Sequence, residues 1–238
     1  MDSFDAPERA MLVIPHPDDG ESGCGGTVAR WVKGGTEVLY VVCTNGDKGT
    51  SDLEMTRERL AEIREAEQRE AIDVLGVQQM TWLAYGDGEL EDTTEFRGRL
   101  VHEIRRFKPD VVLAMDPVHT QSHSHRDHRT SGQAALDACF PYARDALHFE
   151  DHIHVEGLDT HKVGDILLWG TENPDVAIDI TDTIHTKLDA LGKHKSQLSM
   201  ARDDMEEFVK RWAKRAAERA EGTGYEYAET FRKITFRR

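Results

Sequence analysis

The chain has 238 residues, 38% of them hydrophobic, and carries 45 acidic against 30 basic side chains for a net charge of -15. That size suits one large packed domain over residues 1–238, and the acidic field disfavours nucleic acid and anionic membrane surfaces as partners. Three cysteines give no disulfide framework, the first residues lack a charged-then-apolar leader, and no apolar run nears the ~18 residues of a membrane span, so a cytoplasmic protein is expected.

The first element is the apolar run 11–14, read as a buried strand, and it ends in His16-Pro17-Asp18-Asp19-Gly20-Glu21. In a turn after a strand, residues three apart can point the same way. His16 and Asp19 can then reach one cation while Asp18 faces a neighbouring open position, a donor mixture that borderline divalent metals accept. The plainer alternative is a turn in which Pro17 sets φ and the aspartates cap the next helix by accepting its free N–H groups.

Gly23, Gly25 and Gly26 read as a tight turn that starts a helix over 25–33, and the β-branched run 36–44 reads as a strand covered on both faces. This βαβ unit raises dinucleotide binding. The fingerprint G-x-G-x-x-G/A, however, puts Val28 in its last place, and the second strand ends in Thr44 and Asn45 rather than an acid, which argues against a nicotinamide cofactor. The loop 45–50 leads to a helix over 55–75, stopped by Gly76. Arg57, Arg59, Arg64 and Glu67 are expected on its solvated face, with Arg64 and Glu67 able to pair. A third strand near 79–83, a helix over 94–107 and a fourth strand over 111–115 follow.

The exit loop of that fourth strand, 116–132, holds His119, His123, His125 and His128 with two aspartates inside thirteen positions. Solvation does not explain that density. Alternating strands and helices give the α/β class, a doubly wound and mostly parallel sheet with helices on both faces. In such a sheet of order 3-2-1-4, the exit loops of strands one and four face each other across the crevice where ligands bind. The cluster at His16 then meets the cluster at His128, and two histidines with an aspartate make a three-ligand site with room for water. Two other readings compete. His123, His125, Asp127 and His128 match the HxHxDH pattern of metallo-β-lactamase-like hydrolases, although that β-sandwich fold would leave His16, Asp18 and Asp19 without a role. A non-catalytic Rossmann-like binding module with a structural metal is the second, and a fourth protein ligand such as His123 or Glu21 would favour it.

Beyond the loop, a helix is expected over 130–139, then an irregular, aromatic, histidine-bearing stretch, 140–164, as a lid or an added hairpin. Strands over 165–170 and 176–180 follow, then a helix over 181–199. In the last helix, 203–221, Met205, Phe208, Trp212 and Ala216 form one stripe, a core or subunit face.

The segment PHPDDGESGCGGT and the HRDH at His125–His128 resemble the motifs of the LmbE-like / PIG-L family of N-acetylglucosaminyl deacetylases. TNGDKGT, Arg64-x-x-Glu67 running into Leu75-Gly76-Val77, the segment from IDIT to HKSQ at His194–Gln197, and YAETF at Tyr227–Phe231 carry the resemblance along much of the chain. The resemblance implies a Rossmann-like fold and a mononuclear Zn2+ site, or another divalent transition metal, on His16, Asp19 and His128. It implies Asp18 as general base, His125 supported by Asp127 as stabiliser of the oxyanion, and Arg64 in contact with substrate. The implied activity is hydrolysis of a linear amide in a small-molecule N-acetylated amino sugar, by a homo-oligomer, trimer or hexamer. Two departures stand out: Gly20 follows the paired aspartates where many members have Glu, with Glu21 one place later, and Arg126 replaces the proline of HPDH, where it is expected to alter the pocket rim.

Overall fold

The computed structural model describes residues 1–236. Strands β1 (Arg9–Ile14), β2 (Glu37–Thr44), β3 (Gln79–Tyr85), β4 (Val111–Met115), β5 (Asp165–Trp169), β6 (Val176–Asp179) and β7 (Ala228–Thr235) form one sheet in the order β3-β2-β1-β4-β5-β7-β6. The first five pair in parallel, and β7 runs antiparallel to both β5 and β6. The α/β class and the 3-2-1-4 order are as the sequence predicts. Strands buried on both faces read as continuous apolar runs, and residues 10–14 and 40–43 are accordingly without exposed surface.

The helices are α1 (Asp19–Lys33), α2 (Arg57–Leu75), α3 (Thr94–Phe107), α4 (Arg126–Asp137), α5 (Glu150–His154), α6 (Ile184–Leu191) and α7 (Arg202–Arg219). Helices α1, α2, α6 and α7 pack together on one side of the sheet, and α3 with α4 on the other. Among the described residues no helix is long and apolar enough to cross a membrane. Cys24, Cys43 and Cys139 are buried free thiols.

Several expected boundaries move. Helix α1 begins at Asp19 and is kinked at Cys24, so the glycines lie inside it rather than in a turn. Their reason is close packing: a Cβ at Gly26 would sit 2.8 Å from the Ile180 side chain, and one at Gly23 would overlap the Trp169 ring. Helix α4 starts at Arg126, which puts Asp127 and His128 in its first turn. The helix expected over 181–199 is only α6, because Gly192 ends it and turns follow. The stretch 140–164 forms neither lid nor hairpin. Fully buried Arg105 donates to the carbonyls of Tyr142, Ala143, Asp145, His148 and Phe149, and His161 reaches the Pro109 carbonyl at the entry to β4. It is thus held on α3 and at the end of the sheet opposite the strand exits. The α7 stripe also divides, with Met205 buried against Ile184 and Leu188 and Ala216 half-buried while Phe208 and Trp212 stay exposed; Ala213, outside the stripe, is buried with Met205.

Strand β7, which the sequence reading leaves as a tail, inserts between β5 and β6 and carries Glu229 under α1. The Glu229 carboxylate accepts from the N–H groups of Gly26 (3.0 Å) and Thr27 (2.7 Å) and from Lys187 Nζ (2.5 Å) on α6. Removing one partner of a buried pair leaves an uncompensated charge, so Glu229→Ala is expected to lower unfolding free energy by about 3–5 kcal/mol. Urea denaturation checks this, and the double substitution Glu229→Leu with Lys187→Met is expected to recover only part of the loss, because the N–H groups of Gly26 and Thr27 stay without an acceptor.

Candidate metal centre

Three loops leave the carboxyl ends of β1, β3 and β4 and meet at His16, which is 7% exposed. Its Nδ1 lies 3.1 Å from Asp19 Oδ2. Its Nε2 lies 3.1 Å from both Asp87 Oδ1 and Asp127 Oδ2. The other oxygen of Asp19 is 3.4 Å from His128 Nε2. The His125 ring stands edge-on to His16 at 4.7 Å, and ligand-type atoms of His16, His125 and His128 fall within 4.8 Å of one another. A second such group joins His16, Asp87, His125 and Asp127.

The fold thus brings His16, Asp19, His128, His125 and Asp127 together from two distant segments. Asp19 touches two of the imidazoles but belongs to neither ligand group, and among the described residues neither His123 nor Glu21 does. The mostly parallel sheet is also not the sandwich that the HxHxDH reading requires.

Electrostatics explain why these groups stay together. Burial opposes charge on His16, but the three surrounding carboxylates outweigh it and push its pKa up to about 11. Burial likewise opposes charge on Asp19, yet His128 and His16 hold its carboxyl well below the usual range. Asp127 is lowered in the same way, against its burial, by His16 and by the Gly88 N–H. Asp18 behaves differently. Burial and the neighbouring charge of Asp19 raise it to about 7.

The backbone at Asp18 is unusual too. Its φ of 102° is left-handed, a conformation that costs a residue other than glycine on the order of 1–3 kcal/mol. Its side chain makes no capping bond, and Asp19 Oδ2 instead accepts from the His16 N–H, so the capping alternative does not describe these aspartates. Arg64 is not on a solvated face either. At 3% exposure its Nη2 donates to the Pro17 carbonyl (2.6 Å) and to Asp18 Oδ2 (3.3 Å), its Nη1 donates to the Gly46 carbonyl (3.0 Å), and Glu67 pairs with Ser196 instead.

His125 departs from expectation in its support. The Asp127 carboxylate is committed to His16 and to the N–H groups of Gly88 and Leu90, and it is the backbone N–H of Asp127 that donates to His125 Nδ1 at 3.2 Å. With Nδ1 accepting, the single proton of a neutral ring sits on Nε2. Burial and then the charge of His16 lower the His125 pKa, which favours that neutral form. Arg126 projects outward and pairs with Glu91.

Asp87 and Gln68, which the sequence alone does not single out, complete the centre. Asp87 follows β3 at the same end of the sheet as His16, the one positional signal that marks it. Gln68 and Glu21 are fully buried, and Glu21 accepts from Gln68 Nε2 (3.0 Å) and lies 3.2 Å from His194 Nε2. Gln68 and Arg64 occupy the buried stripe of α2 with Leu60, Ile72 and Leu75, and polar residues on a core stripe are the signal for them.

As a donor set, these residues fit a borderline divalent cation: three carboxylates (Asp19, Asp87, Asp127) surround the His16 imidazole, Asp18 lies beside them, and together they leave a local excess of negative charge.

The family model for GlcNAc-PI de-N-acetylase (PIG-L) matches residues 11–139. The chain is 34% identical over 194 residues to a diacetylchitobiose deacetylase of Thermococcus kodakarensis, spanning 82% of this chain and 72% of the relative. It is 27% identical over 209 residues to a probable N-acetyl-alpha-D-glucosaminyl L-malate deacetylase 2 of Bacillus cereus, spanning 85% of this chain and 90% of that one. The solved structure of N,N'-diacetylchitobiose deacetylase from Pyrococcus horikoshii is similar over 98% of this chain and 88% of its own, with a TM-score of 0.89 at 32% identity.

A His16 pKa of about 11 means that the ring carries a proton at neutral pH, and an incoming cation must displace it. Titration with Zn2+ at pH 7 in buffers of different ionisation enthalpy is expected to report release of about one proton per ion bound. Asp19→Ala is expected to weaken that binding at least tenfold.

Proposed function

We propose, because this chain belongs to the PIG-L family of de-N-acetylases, that it is a zinc-dependent amidohydrolase that removes the N-acetyl group from a small N-acetylglucosamine-containing sugar. The observation that carries this reading is the meeting of His16, Asp19 and His128 beside Asp18, a carboxylate whose pKa of about 7 suits proton transfer at neutral pH. We read residues 1–238 as one LmbE-like deacetylase domain, and the return of β7 into the sheet supports that extent. Buried free thiols suit a reducing cytoplasm. Exposed Phe208 and Trp212 on α7 are compatible with a homo-oligomer, trimer or hexamer.

In this reading His16, Asp19 and His128 would hold the ion. When bound, such an ion supplies Lewis acidity that polarises a water and an amide carbonyl. The remaining work falls to the chain. Asp18 accepts the proton of the attacking water. Its high pKa has two causes, burial and the charge of Asp19, and both leave it basic enough to take a proton and acidic enough to return it to the leaving nitrogen. His125 donates through Nε2 to the oxygen on which charge develops, oriented by the Asp127 N–H at its other nitrogen. Asp127 holds His16 from the far side. For Arg64, its contacts support anchoring of Asp18 in addition to the substrate contact that the resemblance implies.

The test is release of primary amine and acetate from a panel of N-acetylglucosaminides, N,N'-diacetylchitobiose included, by the metal-replete protein. Asp18→Asn is expected to retain metal and lose about 10²–10⁴-fold in turnover. Near-normal turnover in metal-replete Asp18→Asn rejects the base assignment. Silence across the panel rejects the substrate class.

A further inference from the structure

Helix α2 passes the site with Arg64 and Gln68 one turn apart on its buried face. Arg64 Nη2 donates to the carbonyl of Pro17 at 2.6 Å, and Gln68 Oε1 accepts from the N–H of Asp18 at 3.1 Å. These two groups are the opposite ends of one peptide unit, Pro17–Asp18. Holding both ends fixes the plane of that peptide, and the plane sets φ at Asp18, the left-handed value of 102° that an aspartate does not prefer. We propose that Arg64 and Gln68 act as a clamp on the Pro17–Asp18 peptide and that Gln68 is thereby a positioning residue for the Asp18 carboxylate. The inference rests on the reading of Asp18 as general base.

What lies behind Gln68 gives the clamp its direction. A carboxylate only accepts, so the end of the Gln68 amide that faces Glu21 Oε1 at 3.0 Å is the NH2 group. The carbonyl is then left for Asp18. Glu21 is in turn held at 3.2 Å from His194 Nε2, and Gln68, Glu21 and His194 are all without exposed surface. Glu21 thereby fixes the rotamer of the glutamine that accepts from the Asp18 N–H. Gly20 helps to leave room, since a Cβ there would sit 2.8 Å from the Tyr40 ring.

The experiment compares Gln68→Met, which keeps length and removes both hydrogen bonds, in the wild-type and Asp18→Asn backgrounds. Expected are a fall in kcat of about 10- to 100-fold with KM and bound metal unchanged, from misplacement of the base. In the Asp18→Asn background the same substitution is expected to change residual turnover by less than about twofold, because its effect runs through Asp18. An equal loss in both backgrounds marks a merely structural role and overturns the clamp. Full turnover of folded, metal-replete Gln68→Met overturns it as well, while normal turnover of Asp18→Asn alone rejects the base reading instead. Amide hydrogen exchange over residues 16–20 gives a readout independent of activity: the Asp18 N–H is expected to exchange at least tenfold faster in Gln68→Met, and unchanged protection contradicts the proposal. Should Gln68→Met not fold, Glu21→Gln carries the test. It frees the Gln68 amide to turn over, so a threefold or greater loss of kcat is expected and an unchanged kcat overturns the clamp.

Discussion

The His16 imidazole is the point on which the architecture converges. It sits among the carboxylates of Asp19, Asp87 and Asp127, each about 3.1 Å away and each delivered by a different loop at the carboxyl ends of the strands. A parallel sheet sends all its exit loops to one side, so the topology alone brings them close. Closeness has a cost, because acidic groups at this separation repel. Imidazoles offset it here, and in the proposed holoenzyme a divalent ion would do so. The same negative enclosure that lifts His16 to about 11 is what makes the place attractive to a cation.

Against that background Asp18 stands out as the carboxylate left without an imidazole in contact. Its immediate neighbours are the charge of Asp19, which raises its pKa, and the guanidinium of Arg64, which lowers it, with burial the largest influence. Backbone geometry points the same way, since a left-handed aspartate survives only where its surroundings over-determine it. In the proposed mechanism, stability and chemistry draw on separate buried pairs. Glu229 with Lys187 secures α1 on the sheet, whereas Gln68 with Glu21 supports the loop that carries Asp18.

Much of this was legible in the sequence because it depends on patterns that survive without coordinates. The apolar runs of β1, β2 and β4 announce buried parallel strands, and the order 3-2-1-4 is one of the common orders that such an alternation allows. The histidine density between His119 and His128 announces a site. What stayed hidden depends on direction. Asp127 looks like the partner of its neighbour His125, yet a helix that starts at Arg126 turns its carboxylate to His16 and leaves only its N–H for His125. By helix pattern alone Arg64 looks solvated, and the local sign of its burial is the stripe it shares with Leu60 and Ile72. Strand β7 has a weak signature, since Glu229, Arg232 and Lys233 break up its apolar residues in the antiparallel part of a sheet that elsewhere speaks in continuous apolar runs. The glycines of α1 read as turn formers, but their role is to let the helix lie against Trp169 and Ile180.

Anomalous diffraction at the zinc absorption edge, from crystals grown with one equivalent of Zn2+, tests the centre most directly. One peak per chain is expected, bounded by His16, Asp19 and His128, with the remaining coordination position open to solvent and the Asp18 carboxylate beside it rather than bound. A peak closed by a fourth protein ligand, a peak elsewhere in the molecule, or the absence of any bound zinc would contradict it.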